Sequence, residues 1–82
     1  MVDQMIRMYG TAWCGDCARA RRFFDAQNIQ YEYIDINADK EGVKVVEQHN
    51  NGNHSVPTII YPDGTVLVEP SNSELTAKMT ST

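Results

Sequence analysis

The chain has 82 residues, which is enough for one small domain. Eleven acidic against seven basic side chains give a formal net charge of −4, and no basic patch interleaved with aromatic residues occurs, so we expect no nucleic-acid partner. The N-terminus lacks a positive n-region, and no apolar run approaches membrane-spanning length. We therefore expect a cytoplasmic protein with no membrane association.

The first half of the chain predicts strands and helices in alternation. A strand over about residues 4–9 precedes a helix from Gly15 to about Gln27. Residues 31–36 are rich in β-forming side chains and predict a second strand. Asn37 or Asp39 can cap a second helix that runs to about His49.

The second half predicts a hairpin followed by a helix. A polar loop leads into a strand over 56–61, a tight turn containing Gly64, and a returning strand over 65–68. Ser71 and Glu74 have capping-box spacing, which predicts the start of a third helix. Residues 1–3 and 80–82 are expected to be flexible.

The element order β-α-β-α-β-β-α predicts an α/β fold. A right-handed crossover makes the first two strands parallel, and the final hairpin adds an antiparallel edge. The result is a mixed four-stranded sheet flanked by helices, which is a minimal thioredoxin fold. No linker divides the chain, so we expect a single domain over residues 1–82.

Two cysteines carry the chemistry predicted from the sequence. Cys14 and Cys17 lie where the first strand is followed by the first helix. A sulfur at a helix N-terminus meets unpaired N–H groups and the positive end of the helix dipole, which favours thiolate. A disulfide between residues three apart adds little stability, and thiols in the cytosol are kept reduced. The pair is therefore predicted to be a redox centre, with Cys14 exposed and Cys17 shielded one turn into the helix.

Three segments resemble the glutaredoxin superfamily, and within it the bacterial glutaredoxin-like group that includes the mycoredoxins. They are Tyr9–Cys17, Ser55–Thr58 and Asp63–Thr65. The resemblance implies a thiol–disulfide oxidoreductase that reduces protein disulfides or mixed disulfides with small thiols. It implies that Cys14 is the nucleophile and Cys17 the resolving thiol. It also implies a monomer with no tightly bound cofactor.

The resemblance further assigns the chain opposite the cysteines to substrate binding. Val56-Pro57 would carry a cis peptide bond, with the Val56 backbone pairing with the substrate's cysteine. Trp13, beside the nucleophile, is interpreted as a contact surface for substrate. Asp16 complements the helix dipole but places a negative charge near the thiolate, so it is interpreted as a modulating residue.

The sequence departs from the glutathione-using pattern at three places. Thr11 stands where a basic residue is common, Gly15-Asp16 replaces Pro-Tyr, and Val68–Asn72 replaces a Gly-Gly…Ser-Asp segment that holds the γ-glutamyl group. The reductant is therefore left open among glutathione, mycothiol, another small thiol and a flavoprotein reductase.

Several alternatives accompany this interpretation. Cys14, Cys17, His49 and His54 contain the residue types of a zinc site, although the intervening segment is far longer than in a zinc finger. His49 and His54 are more simply surface residues. Arg19, Arg21 and Arg22 are expected to form mostly a solvated helix face, with the alternative that one of them contacts a substrate carboxylate or a partner. The alternative functions are an iron–sulfur cluster-binding or redox-sensing adaptor, and a dedicated electron donor to a reductase such as ribonucleotide reductase.

Overall fold

The computed structural model describes residues 5–80, in which four strands and three helices follow one another in the predicted order. The strands are β1 (Ile6–Gly10), β2 (Tyr31–Asp35), β3 (Thr58–Ile60) and β4 (Val66–Val68). The helices are α1 (Gly15–Ala26), α2 (Lys40–His49) and α3 (Asn72–Thr80). Within residues 5–80, no helix is long and apolar enough to cross a membrane.

The four strands form one mixed sheet in the order β2-β1-β3-β4. β1 runs parallel to β2, with Met8 opposite Tyr33, and antiparallel to β3, with Met8 opposite Ile59. β3 and β4 are the antiparallel hairpin. The predicted thioredoxin fold is therefore confirmed.

Helices cover both faces of the sheet. One face packs against α1 and α3, and its core contains Ile6, Met8, Ala20, Phe24, Ile59, Tyr61 and Leu75. The other face packs against α2 through Tyr9, Ile36 and Val46. Burial of these side chains is the main stabilising contribution, at about 1.5–3 kcal/mol for each large residue.

Helix caps follow the sequence closely. Of the two candidate caps for α2, Asp39 is the residue used, and its carboxylate accepts from the N–H groups of Glu41 at 3.0 Å and Gly42 at 3.1 Å. The capping box before α3 is confirmed, because Ser71 Oγ accepts from the Glu74 N–H and Glu74 Oε1 accepts from the Ser71 N–H.

The flexibility of the chain ends stays a prediction. Thr80 is the last residue of α3, and its hydroxyl donates to the carbonyls of Thr76 at 3.2 Å and Ala77 at 3.1 Å. The other terminal positions of that prediction, 1–3 and 81–82, lie outside the described residues.

The turn between β3 and β4 is tied to α3 by a charged pair. Lys78 Nζ donates to Asp63 Oδ2 at 2.5 Å and lies 5.1 Å from the centre of the Tyr61 ring. This hydrogen bond, together with the backbone N–H of Thr65, lowers the pKa of Asp63 to about 2. Burial raises the pKa of Tyr61 to about 12, and its hydroxyl has no hydrogen-bond partner among residues 5–80.

Candidate redox site

Cys14 is the N-cap residue of α1. Its backbone is extended, at φ −85° and ψ 115°, and its carbonyl accepts the Ala18 N–H at 3.1 Å. Its sulfur accepts the Cys17 N–H at 3.1 Å. A helix N-terminus presents unpaired N–H groups to whatever lies there, so a negatively charged sulfur at this position is stabilised by hydrogen bonding and by the helix dipole. Cys14 is partly exposed, which leaves it accessible to a substrate.

Cys17 lies one turn further along α1 and is only 1% exposed. Burial, followed by a hydrogen bond with Cys14, raises the pKa of the Cys17 thiol to about 12, while the Thr11 backbone acts in the opposite direction. Cys17 is therefore a neutral thiol near pH 7. The structure places the two sulfurs as the sequence predicts, one accessible and one shielded, and both are free thiols.

The last residue of β1 makes room for the buried sulfur. A Cβ built on Gly10 would lie 2.6 Å from Cys17 Sγ and 2.9 Å from the Tyr33 hydroxyl oxygen. Contacts shorter than 3.0 Å do not occur for real Cβ atoms, so a glycine is required here unless the neighbours move. The Tyr33 hydroxyl also donates to the Thr11 carbonyl at 2.9 Å, which anchors the loop before Cys14.

Gly10 and Tyr33 are not among the functional positions predicted from the sequence. The available signal was topological: β1 and β2 are parallel neighbours, so their carboxyl ends lie at the same edge of the sheet, and Gly10 pairs with Asp35 there. Gly10, the last residue of β1, was therefore a candidate to support the loop that carries Cys14, whereas Tyr33 lies in the middle of β2 and has no such signal.

The segment before β3 faces the accessible sulfur. The Val56-Pro57 peptide bond is cis, and the Cys14 thiol contacts the Val56 carbonyl oxygen at 3.8 Å. Pro57 is buried, whereas Val56 is half-buried. The Pro57 carbonyl accepts the Glu69 N–H at 2.9 Å, so the end of β4 supports this segment from behind. Glu69 itself has a φ of 50°, in the left-handed region.

Trp13 and Asp16 flank Cys14 on the surface. The Trp13 side chain is 78% exposed, so it belongs to the accessible surface and not to the core. Asp16 lies in the first turn of α1, and its carboxylate is 3.5 Å from the Arg19 guanidinium. The negative charge predicted beside the sulfurs is therefore paired.

The prediction of a solvated arginine face on α1 is wrong for Arg19. Its side chain is only 29% exposed, and it donates to Asn72 Oδ1 and to the Pro70 carbonyl, each at 2.8 Å. Arg22 is exposed, and Arg21 is exposed with its guanidinium carbon 4.2 Å from the centre of the Tyr33 ring.

The histidines are surface residues in the structure. His49 is exposed at the end of α2, and His54 is exposed and lies 2.7 Å from a carboxylate oxygen of Glu47. The structure does not bring either histidine to the two cysteines. Within the described part of the chain, no group of three or more histidine, cysteine or acidic side chains has an arrangement that could hold a metal ion.

Comparisons with known proteins identify the family of this chain. The family model described as Glutaredoxin matches residues 6–67. A Mycobacterium tuberculosis protein described as a glutaredoxin is 35% identical over 79 residues, covering 96% of this chain and 94% of the relative. Mycoredoxin 1 of Corynebacterium glutamicum is 36% identical over 74 residues, covering 90% of this chain and 91% of the relative.

Solved structures give the same result. The crystal structure of a glutaredoxin from Archaeoglobus fulgidus matches with a TM-score of 0.74 at 25% identity, covering 93% of this chain and 86% of that one. Residues 6–67, which the family model matches, contain β1, the cysteine pair and the Val56-Pro57 segment. The chain belongs to the glutaredoxin family.

Proposed function

We propose that this protein is a disulfide reductase in which Cys14 is the nucleophile and Cys17 the resolving thiol. The observation that carries the proposal is the pairing of a partly exposed sulfur at the start of α1 with a buried sulfur one turn away. The same helix start donates an N–H to Cys14 Sγ, and that bond is strongest when the sulfur is negatively charged. Accessibility and charge stabilisation are the two requirements of an attacking thiolate.

The dithiol route has two exchange steps. The Cys14 thiolate attacks one sulfur of a substrate disulfide, so that a Cys14–substrate disulfide forms and the other substrate sulfur leaves as a thiolate that takes up a proton. Cys17 then loses its proton and attacks Cys14 Sγ, which releases the second substrate sulfur. The protein ends as a Cys14–Cys17 disulfide, and the substrate has gained two electrons and two protons.

The raised pKa of Cys17 fits the second role. A resolving thiol that remains protonated does not compete with Cys14 for the incoming disulfide. It becomes reactive only when the mixed disulfide brings a leaving group against it, since the departing sulfur can take up the released proton. The burial of Cys17 thus favours attack by Cys14 first and attack by Cys17 second.

The monothiol route spares Cys17. In this route a low-molecular-weight thiol, glutathione or mycothiol, attacks the mixed disulfide directly. Val56 and Pro57 face Cys14 and would align the substrate backbone, and the exposed indole of Trp13 would contact its surface. The similarity to mycoredoxin 1 and the departures from the glutathione-using pattern favour mycothiol as the first thiol to test.

Two cysteine variants test the assignment of roles. Cys14→Ser should abolish reduction of every disulfide, because the nucleophile is lost. Cys17→Ser should lose reduction of protein disulfides by the dithiol route and keep reduction of small-thiol mixed disulfides. Full activity of Cys14→Ser on any disulfide would contradict the proposal.

The reductant is identified by a parallel assay on the oxidised wild-type protein. Glutathione, mycothiol and a thioredoxin reductase system are supplied separately, and free thiols are counted with time. Cys17→Ser carrying a glutathione mixed disulfide on Cys14 is the matched control, because a flavoprotein reductase specific for the Cys14–Cys17 disulfide should not act on it. Regeneration of free thiols by glutathione and not by mycothiol would contradict the choice of mycothiol.

A further inference from the structure

Arg19 connects the redox helix to a distant turn of the chain. Its Nη1 donates to Asn72 Oδ1 and its Nη2 donates to the Pro70 carbonyl, across 53 and 51 residues of sequence. The same Nη2 lies 3.5 Å from Asp16 Oδ1. One guanidinium therefore contacts the first turn of α1 on one side and, on the other, the β4–α3 connection at Pro70 and the start of α3 at Asn72.

These contacts complete a ring around the candidate site. Cys14 contacts the Val56 carbonyl, and the next residue, Pro57, accepts the N–H of Glu69. Glu69 directly precedes Pro70, whose carbonyl is held by Arg19, and Arg19 returns to α1. The segment that faces Cys14 and the helix that carries Cys14 are thus tied together on the far side by a single side chain.

The ring also includes a negatively charged group, the Asp16 carboxylate. The Asp16 carboxylate is the smallest of the influences that raise the pKa of Cys17, after burial and the contacts with Cys14, so its charge acts on the buried sulfur. A carboxylate that comes close to a sulfur opposes formation of a thiolate there, because like charges repel. Arg19 is bonded to the Pro70 carbonyl and to Asn72 Oδ1 at the start of α3, and these two bonds define the position of the positive charge that pairs with Asp16.

We propose that Arg19 is a positioning residue of the redox pair: its anchored guanidinium restrains the Asp16 carboxylate and so favours the reduced, thiolate form of the protein. The proposal rests on the redox function proposed above. The proposed effect of Arg19 differs from a simple effect of its charge, because it requires the two-nitrogen fork of the guanidinium and acts through Asp16.

A double-variant cycle tests this dependence. The measured quantity is the equilibrium constant for exchange between the protein dithiol and a thiol–disulfide buffer. Arg19→Gln should shift that constant towards the oxidised protein by about 3–10-fold, which corresponds to a potential about 15–30 mV more reducing. Asp16→Asn should shift it in the opposite direction. In the Asp16→Asn background, Arg19→Gln should shift it by less than about twofold, because the carboxylate that Arg19 restrains is gone.

Two further variants separate charge from geometry. Arg22→Gln makes the same change of net charge at an exposed position of α1 and should leave the equilibrium within about twofold of the wild type. Arg19→Lys keeps the positive charge but has one nitrogen in place of the two-nitrogen fork. It should therefore shift the exchange equilibrium constant by at least half as much as Arg19→Gln does. Circular dichroism confirms that each variant is folded before its equilibrium constant is used.

Three results would overturn the proposal. Equal shifts for Arg19→Gln in the two backgrounds would mean that the guanidinium acts only by its own charge. Wild-type behaviour of Arg19→Lys would mean that the fork is not needed. Failure of the wild-type cysteines to exchange with the buffer at all would overturn the redox function as well, so the two failures are distinguishable.

Discussion

Gly10→Ala is expected to displace the buried sulfur of Cys17 and to impair the dithiol route selectively. The new methyl carbon would lie 2.6 Å from Cys17 Sγ and 2.9 Å from the Tyr33 hydroxyl oxygen. Neither neighbour can move freely. Cys17 is packed in the core at 1% exposure, and the Tyr33 hydroxyl is bonded to the Thr11 carbonyl.

The expected cost follows from these two contacts. Overpacking of a filled interior costs about 1–3 kcal/mol, and two simultaneous close contacts place this variant towards the upper end, at about 2–3 kcal/mol. Alanine regains about 0.5–1 kcal/mol because glycine loses more conformational freedom on folding. The free energy of unfolding of the reduced protein should therefore fall by about 1–2.5 kcal/mol.

Denaturant unfolding, combined with a second substitution, measures the contribution of the sulfur. In a Cys17→Ala background the nearest atom is absent, so Gly10→Ala should cost at least about 1 kcal/mol less than in the wild type. Gly15→Ala is the matched control, because nothing lies within 4 Å of a Cβ at that position and Gly15 begins a helix. It should leave stability unchanged or raise it by up to about 1 kcal/mol.

Activity assays complete the test. Gly10→Ala should lower the rate of protein disulfide reduction more than the rate of small-thiol mixed disulfide reduction, since only the former needs Cys17 in place. Identical costs of Gly10→Ala with and without the Cys17 sulfur would refute the packing argument. An equal loss of both activities would refute the link from packing to the resolving step.

Three other substitutions test features away from the cysteines. Glu69→Gly should raise the free energy of unfolding by up to about 1.5 kcal/mol, because a left-handed backbone costs an L-residue about 1–2 kcal/mol and glycine costs about 0.5–1 kcal/mol in entropy. An equal gain from Glu69→Ala in denaturant unfolding would contradict this. Tyr61→Phe should raise the free energy of unfolding by roughly 1–3 kcal/mol, since the buried hydroxyl has no hydrogen-bond partner among residues 5–80. A lower free energy of unfolding would show that the hydroxyl does have a hydrogen-bond partner. Asp63 has a folded pKa of about 2, lowered by Lys78, so its contribution to stability is present above its unfolded pKa near 3.8 and is lost as the pH falls through about 2. The melting temperature of Asp63→Asn should therefore approach that of the wild type as the pH falls from 6 to 2, and a gap independent of pH would refute the role of this carboxylate.

Local features of the fold could be predicted because their signals lie within a few residues of one another. The Ser71–Glu74 capping box is an example, and so is the cysteine pair at the start of α1. The predicted strand over 56–61 is shorter in the structure, at Thr58–Ile60. Pro57 has no N–H to donate to a ladder, which is consistent with pairing that begins only after it.

Features that depend on contacts between distant segments could not be predicted. The role of Arg19 requires knowing that Pro70 and Asn72 pack beside α1, which no periodicity encodes. Gly42 is the same kind of case. The sequence marks it only as a weak helix residue, whereas a Cβ there would lie 3.0 Å from Ile34 Cγ2, so its absence allows α2 to approach the sheet.

The position of Trp13 gives the protein a built-in optical reporter. It is the single tryptophan of the chain, it precedes Cys14, and it is 78% exposed. Indole emission responds to solvent exposure and to nearby quenchers such as disulfides, so it should follow oxidation of the cysteine pair and docking of a partner over this surface. Global unfolding leaves the indole in water before and after, and should change its emission little. Fluorescence and circular dichroism recorded in one titration would thus separate chemistry at the site from folding of the domain.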